Sequence, residues 1–254
     1  MIVRDEQLKA FAAQDEIAYA KSAADHLERF DPVLAATAGR ERLEQTAMTG
    51  LKDARRHGLA DGPAMQLYLE MMASLGSGFD ADPQFRWLQP FLDTRQDMGA
   101  VERARFLHFH TSAYMTRAYG AGNEFARAAA ERARDQLARF TQPSARVEIE
   151  PVELLKWLHP ERLDFVDSAA ASELAGDARK CASIARFPLP QGVNLLLILM
   201  FLFGAKVAAD PLYHWVGELL QGRQPGADRL NTLVDRTKEH LAAILAGSKE
   251  VASQ

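Results

Sequence analysis

The stretch from Val193 to Phe203 most limits what this chain can fold into. Its eleven residues carry a single polar side chain, Asn194, and Gly204 closes the run, with Lys206 just beyond. A helix that is apolar all round has to be buried all round. A membrane span needs about 20 apolar residues, so the run predicts a core helix instead. At about 1.5 to 3 kcal/mol per fully buried large apolar side chain, it contributes on the order of ten kcal/mol or more before chain entropy is subtracted.

The other segments predict helices around this core. Residues 4–30 space Leu8, Phe11, Ala12, Ile17, Ala18, Ala24 and Leu27 for one apolar face, with no Gly or Pro before Asp31-Pro32. A second helix is expected from about Arg40 to His57, stopped by Gly58, and a third from Pro63 to Leu75, stopped by Gly76. The loop 76–83 leads into a short helix with Phe85, Trp87 and Leu88, and another helix covers about Ala100 to Tyr119. Further helix is expected from Glu124 to Phe140. Thr141-Gln142-Pro143-Ser144 breaks the pattern, Val147 to Glu150 has room for a brief extended segment, and helix resumes at Pro151.

The chain also resembles itself. Asp82-Pro83, with Trp87 four residues after the proline, is matched by Asp210-Pro211 with Trp215, an offset of 128 (210 less 82). The same offset pairs Met72 with Met200, Gly76 with Gly204, Leu27 with Leu155, Pro32 with Pro160 and Leu92 with Leu220. Gln7-Leu8 and Phe11 pair with Gln136-Leu137 and Phe140 at 129, and Glu102-Arg103 with Asp228-Arg229 at 126. The reading is therefore all-α: two similar helical units, 1–119 and 120–254, joined near residues 120–123. Two units are too few for an open solenoid, so a compact, pseudo-symmetric body is expected.

Composition narrows function by exclusion. A formal charge of -4 offers no electrostatic footprint for nucleic acid, so none is expected as a partner. Lys52, Arg55, Arg56 and His57 read as cations at a helix C-terminus. Cys181 stands alone, which suits a reducing cytoplasm and a small, part-buried side chain. No secretory signal pattern opens the sequence.

Reaction chemistry is sparse. His108 and His110 are two apart, so on a helix they point to different faces and cannot share a metal. Asp80 and Asp82, among glycines, suggest a hard cation, but no distal Glu completes the set, and the second unit keeps only the Asp82 equivalent. An acid kept before proline is an N-cap. The expectation is a protein without catalytic residue, cofactor or metal.

The candidate binding face comes from laying the central helices on each other. Gln66, Glu70 and Ser74 form a polar stripe, replaced in the second unit by Asn194, Ile198 and Leu202, while Ala73 becomes Phe201. Either other helices of the chain cover this apolar face, or it is a groove for a partner segment. Asn194, Ile198, Phe201 and Leu202, with Asp80 and Asp82 of the acidic loop, are the candidate partner-binding residues. Trp87 and Trp215 are read as core anchors, with interface anchors as the alternative.

The opening Met1-Ile2-Val3-Arg4-Asp5-Glu6-Gln7-Leu8, His57-Gly58-Leu59, Leu67 to Met72, Gly76, Phe79 to Pro83 and Trp87 resemble a known group. It comprises small, uncharacterised all-helical proteins of Gram-negative bacteria, encoded beside type VI secretion genes, near spike, PAAR and effector genes. The likeness covers about residues 1–115 and recurs weakly in the second half. The apolar central helix of the second unit and its lost Asp80 equivalent depart from the pattern. The resemblance implies a cytoplasmic adaptor or co-chaperone that holds an effector or spike-tip protein before delivery. The alternative it implies is an immunity protein that neutralises a toxic effector.

Overall fold

The computed structural model describes residues 5–59, 62–93, 98–140 and 150–251, with side chains from residue 14 to residue 247. These residues form helices and no strand. The expected break at 141–144 and the extended segment at 147–149 lie outside the described residues, as do the side chains of Leu8, Phe11 and Ala12.

The helices are α1 (Asp5–Phe30), α2 (Pro32–Ala38), α3 (Arg40–Arg56), α4 (Gly62–Leu75), α5 (Gln89–Leu92), α6 (Ala100–Tyr119) and α7 (Glu124–Phe140). They continue with α8 (Pro151–Leu158), α9 (Pro160–Leu163), α10 (Ser168–Ile184), α11 (Gln191–Phe203), α12 (His214–Gln221) and α13 (Gly226–Val251). Tight 3-10 turns at Phe79–Ala81, Pro83–Leu88 and Pro211–Tyr213 complete the described elements. The starts follow local chemistry. Asp31 caps α2 by accepting from the Leu34 N–H at 2.9 Å, and Asp167 caps α10 by accepting from the Ala170 N–H at 2.7 Å. Gly39, Gly76, Gly120 and Gly204 follow helix ends at positive φ.

Before residue 120, α1 lies on α3 and α3 on α4; after it, α8 lies on α10 and α10 on α11. Other contacts join the two stretches. α6 lies on α9, and α13 on α2; the turn Pro83–Leu88 lies on α10, and the turn Pro211–Tyr213 on α3. Buried apolar side chains from both halves form one continuous cluster.

At the meeting point the exchange is reciprocal. Asp82 Oδ2 accepts from the Ala205 N–H at 2.6 Å, and Asp210 Oδ2 accepts from the Ser77 N–H at 2.7 Å. The other oxygen of each acid caps its own turn, on Gln84 N–H and Leu212 N–H, both at 2.9 Å. Gly76 and Gly204 face each other so closely that a Cβ on Gly76 would stand 2.5 Å from the Phe203 carbonyl oxygen, and one on Gly204 would stand 2.9 Å from that of Leu75. Arg103 donates to the His57 carbonyl at 2.9 Å and Arg229 to the Ala185 carbonyl at 2.6 Å, so each closes the chain end that follows α3 or α10.

Candidate functional site

The central helix α11 is core. Asn194, Ile198 and Phe201 are buried at 2%, 0% and 0% exposure, under α10, α8 and α7, and only Leu202 is half-buried. The expectation of a partner groove on Asn194, Ile198, Phe201 and Leu202 is therefore corrected. The chain's own helices cover the first three, and Leu202 packs against the same core. Periodicity predicts burial of such a face but not what does the covering. In the first half the corresponding stripe is only partly in water: Glu70 accepts from His26 Nε2 at 2.8 Å, and Gln66 joins the same pair.

Near Phe201 the interior holds a charge. Arg162, 1% exposed, lies over the rings of Phe85 and Phe201, at 5.4 and 5.3 Å. Its Nη1 donates to the Tyr119 hydroxyl at 3.0 Å and to the Leu202 carbonyl at 3.2 Å, while Nε and Nη2 have no hydrogen-bond partner. The arginine thus ties α9 to α6 and α11.

The acidic loop divides its two residues. Asp82 is 2% exposed and fully used as cap and cross-brace, so its place among the partner-binding residues is also corrected. Burial pushes its carboxyl up, against the pull of the Ala205 and Gln84 N–H groups. Asp80 is half-buried at the edge of a shallow cleft of about 410 Å3 lined by Thr49, Asp53, Arg56, Ala81 and Lys206. Asp53 and Arg56 pair with each other across one turn of α3.

His57 holds Asp80. Its Nε2 lies 3.1 Å from Asp80 Oδ2, and its Nδ1 lies 3.0 Å from the Leu92 carbonyl oxygen. A carbonyl and a carboxylate accept, so the two contacts are met together when both ring nitrogens carry protons, as in an imidazolium. The Asp80 hydrogen bond raises the His57 pKa, over the opposing effect of burial. Burial pushes Asp80 up, yet the His57 hydrogen bond and charge, with Tyr68 and Lys206, leave it below the ordinary carboxylate range.

The surface feature that sequence reading passed over is aromatic. α6 buries Arg103, Leu107, Thr111, Tyr114 and Ala118, a stripe at helical spacing. Phe106 and Phe109 fall off that stripe and are 38% and 66% exposed. Phe91 of α5 stacks on Phe106 (centroids 5.8 Å apart, planes within 8°) and on His110 (4.7 Å, 18°), while Phe109 meets His110 edge-on at 5.3 Å. The signal was present as two phenylalanines three apart on the outer face. His110, expected to be an ordinary side chain, is part of the stack, whereas His108 is exposed. Trp215 is buried at 8% and Trp87 is partly buried against the core, so both anchor the interior. Among the described residues no group of His, Cys, Asp or Glu is arranged to hold a metal ion, and no helix is long and apolar enough to cross a membrane. No family model, no curated protein and no solved structure matches this chain.

Proposed function

We propose that the chain is a tandem duplication of one helical unit, packed about a pseudo-two-fold axis, and that it works as a cytoplasmic accessory protein binding a type VI secretion effector or spike-tip protein before delivery. The duplication draws support from paired elements at one spacing: α3 begins at Arg40 and α10 at Ser168, a difference of 128 (168 less 40), and the touching glycines Gly76 and Gly204 differ by the same number. The exchanged Asp82 and Asp210 hydrogen bonds and the paired Arg103 and Arg229 braces fit the same relation.

One observation carries the binding reading. On the duplicated scaffold, the positions of Phe106, Phe109 and His110 correspond at an offset of 126 to Thr232, Asp235 and Arg236, all exposed on α13. Where that face meets only water it is polar; in the first unit it is a stacked aromatic surface. Aromatic side chains are the usual anchors of protein interfaces. The partner class comes from the resemblance of residues 1–115 to proteins encoded beside type VI secretion genes. A non-enzymatic role is favoured by the His57 ring, whose two nitrogens are engaged by Asp80 and by the Leu92 carbonyl.

The test is affinity capture from the native cell with the tagged protein and with a Phe106→Ser, Phe109→Ser double variant. Both changes lie on exposed positions, so the fold is retained. Recovery of an effector or spike-tip protein that depends on the two phenylalanines, and that remains toxic when released, supports the adaptor role. A captured toxin that this protein inactivates would instead make it an immunity protein. Equal recovery by both forms would remove the aromatic surface from the account.

A further inference from the structure

We infer that His57 is a proton-operated clasp that fastens the acidic loop and α5 to the end of α3. The inference goes beyond the proposed function and stands whether or not a secretion partner is found. It starts from geometry. The imidazole sits where α3 ends, with 18% of its side chain exposed, and reaches two separate segments: Asp80, 12% exposed, in the turn Phe79–Ala81, and the Leu92 carbonyl at the end of α5. Tyr68 of α4 tilts against the ring at 5.9 Å, and Arg103 of α6 holds the His57 carbonyl from behind. The ring therefore has little freedom to turn away from its two acceptors.

Both bonds need both protons. When one proton leaves, a nitrogen lone pair faces either the carboxylate or the carbonyl, and that contact becomes repulsive. The charged groups around the site do not replace the lost proton. Arg56 and Asp53 pair with each other on α3, Arg103 is engaged with the backbone, Tyr68 is neutral, and Lys206 stands at the cleft edge as a long-range partner of Asp80. Among the described residues, Asp80 is the carboxylate hydrogen-bonded to the ring.

The sign follows from the direction of each shift. His57 is raised in the folded state, so its contribution is full below its unfolded pKa and is lost as pH rises through the folded value. Asp80 is lowered, so its contribution is present above its unfolded pKa and is lost as pH falls through the folded value. The clasp is closed between those two limits and opens on the alkaline side. Opening frees the Leu92 end of α5, which also carries Phe91 of the aromatic stack.

The experiment uses the full chain. The ring nitrogens of His57 are followed by 15N NMR through a pH titration, with His57→Gln for assignment. Amide exchange at Ala81, Asp82 and Asp93 is measured on either side of the transition and corrected for intrinsic rate. The clasp predicts an imidazolium that persists above the ordinary histidine pKa, and protection at these amides that falls about tenfold once it deprotonates, the size of one charge-assisted hydrogen bond. Asp80→Asn and His57→Gln should each abolish that pH dependence. A neutral single tautomer at pH 6, or exchange whose pH dependence survives in either variant, would overturn the inference.

Discussion

Replacing Gly76 with alanine tests the contact at which the two halves meet. Gly76 has φ +100, where a side chain is strained by about 1 to 3 kcal/mol whatever surrounds it. The added methyl would also stand 2.5 Å from the Phe203 carbonyl oxygen and 3.1 Å from the Gly204 Cα. Both obstacles are backbone, so relief requires the two halves to separate locally, which adds about 1 to 3 kcal/mol by the usual cost of overpacking. Gly39 supplies the control: its φ is +82, and nothing lies within 4 Å of a built Cβ. Gly39→Ala therefore carries the strain alone. Urea unfolding of both variants, followed by tryptophan fluorescence, should place Gly76→Ala below Gly39→Ala by that additional 1 to 3 kcal/mol at unchanged m, about the cost of overpacking. Equal midpoints would refute the close approach of the two glycines.

Three further outcomes follow from buried polar groups. Asp210→Asn leaves one acceptor where two N–H groups, of Ser77 and Leu212, now bind separate oxygens, and should cost about 1 to 3 kcal/mol in the same assay. His240, 5% exposed among aromatic rings, is pushed down to about 4 by burial. Its unfolded form takes up a proton near the ordinary histidine pKa and its folded form does not, so stability is full above that value and falls by about 3 kcal/mol as pH approaches 4. His240→Leu should remove that share of the fall and leave the share of His159, which burial also pushes down to about 4. Arg162 stands at the proposed repeat spacing of 128 from Leu34, and two of its donor nitrogens lack partners. Arg162→Met should cost less than about 1 kcal/mol or stabilise, whereas Arg162→Ala should cost about 2 to 5 kcal/mol through the cavity left behind. Thermal and urea midpoints distinguish the two.

Local chemistry made most helices legible. The 4–30, 40–57, 63–75 and 100–119 expectations meet helices at Asp5–Phe30, Arg40–Arg56, Gly62–Leu75 and Ala100–Tyr119, because caps, glycines and apolar spacing act within a few residues. The short α2 was missed although Asp31-Pro32 carries the cap-and-proline signal that was read correctly at Asp82-Pro83. Asp82 was legible as a cap, but its second oxygen reaches residue 205, and no local pattern announces a partner that distant. The same applies to His57 and Asp80, 23 residues apart. Ile198 and Phe201 are legible as an apolar face that something must cover, but the choice between the chain's own helices and a partner is decided by tertiary packing, here by α8 and α10. The exposed stack was overlooked because Phe91 and His110 belong to different helices, and their contact exists only in the fold.

The most direct test of the account places a photo-crosslinking amino acid at position 109 of the full chain in its native cell, with position 235 of the other half as the matched control. The account predicts crosslinks from 109 to a secretion effector or spike-tip protein and none from 235. Silence at 109, or the same products from both positions, would contradict it.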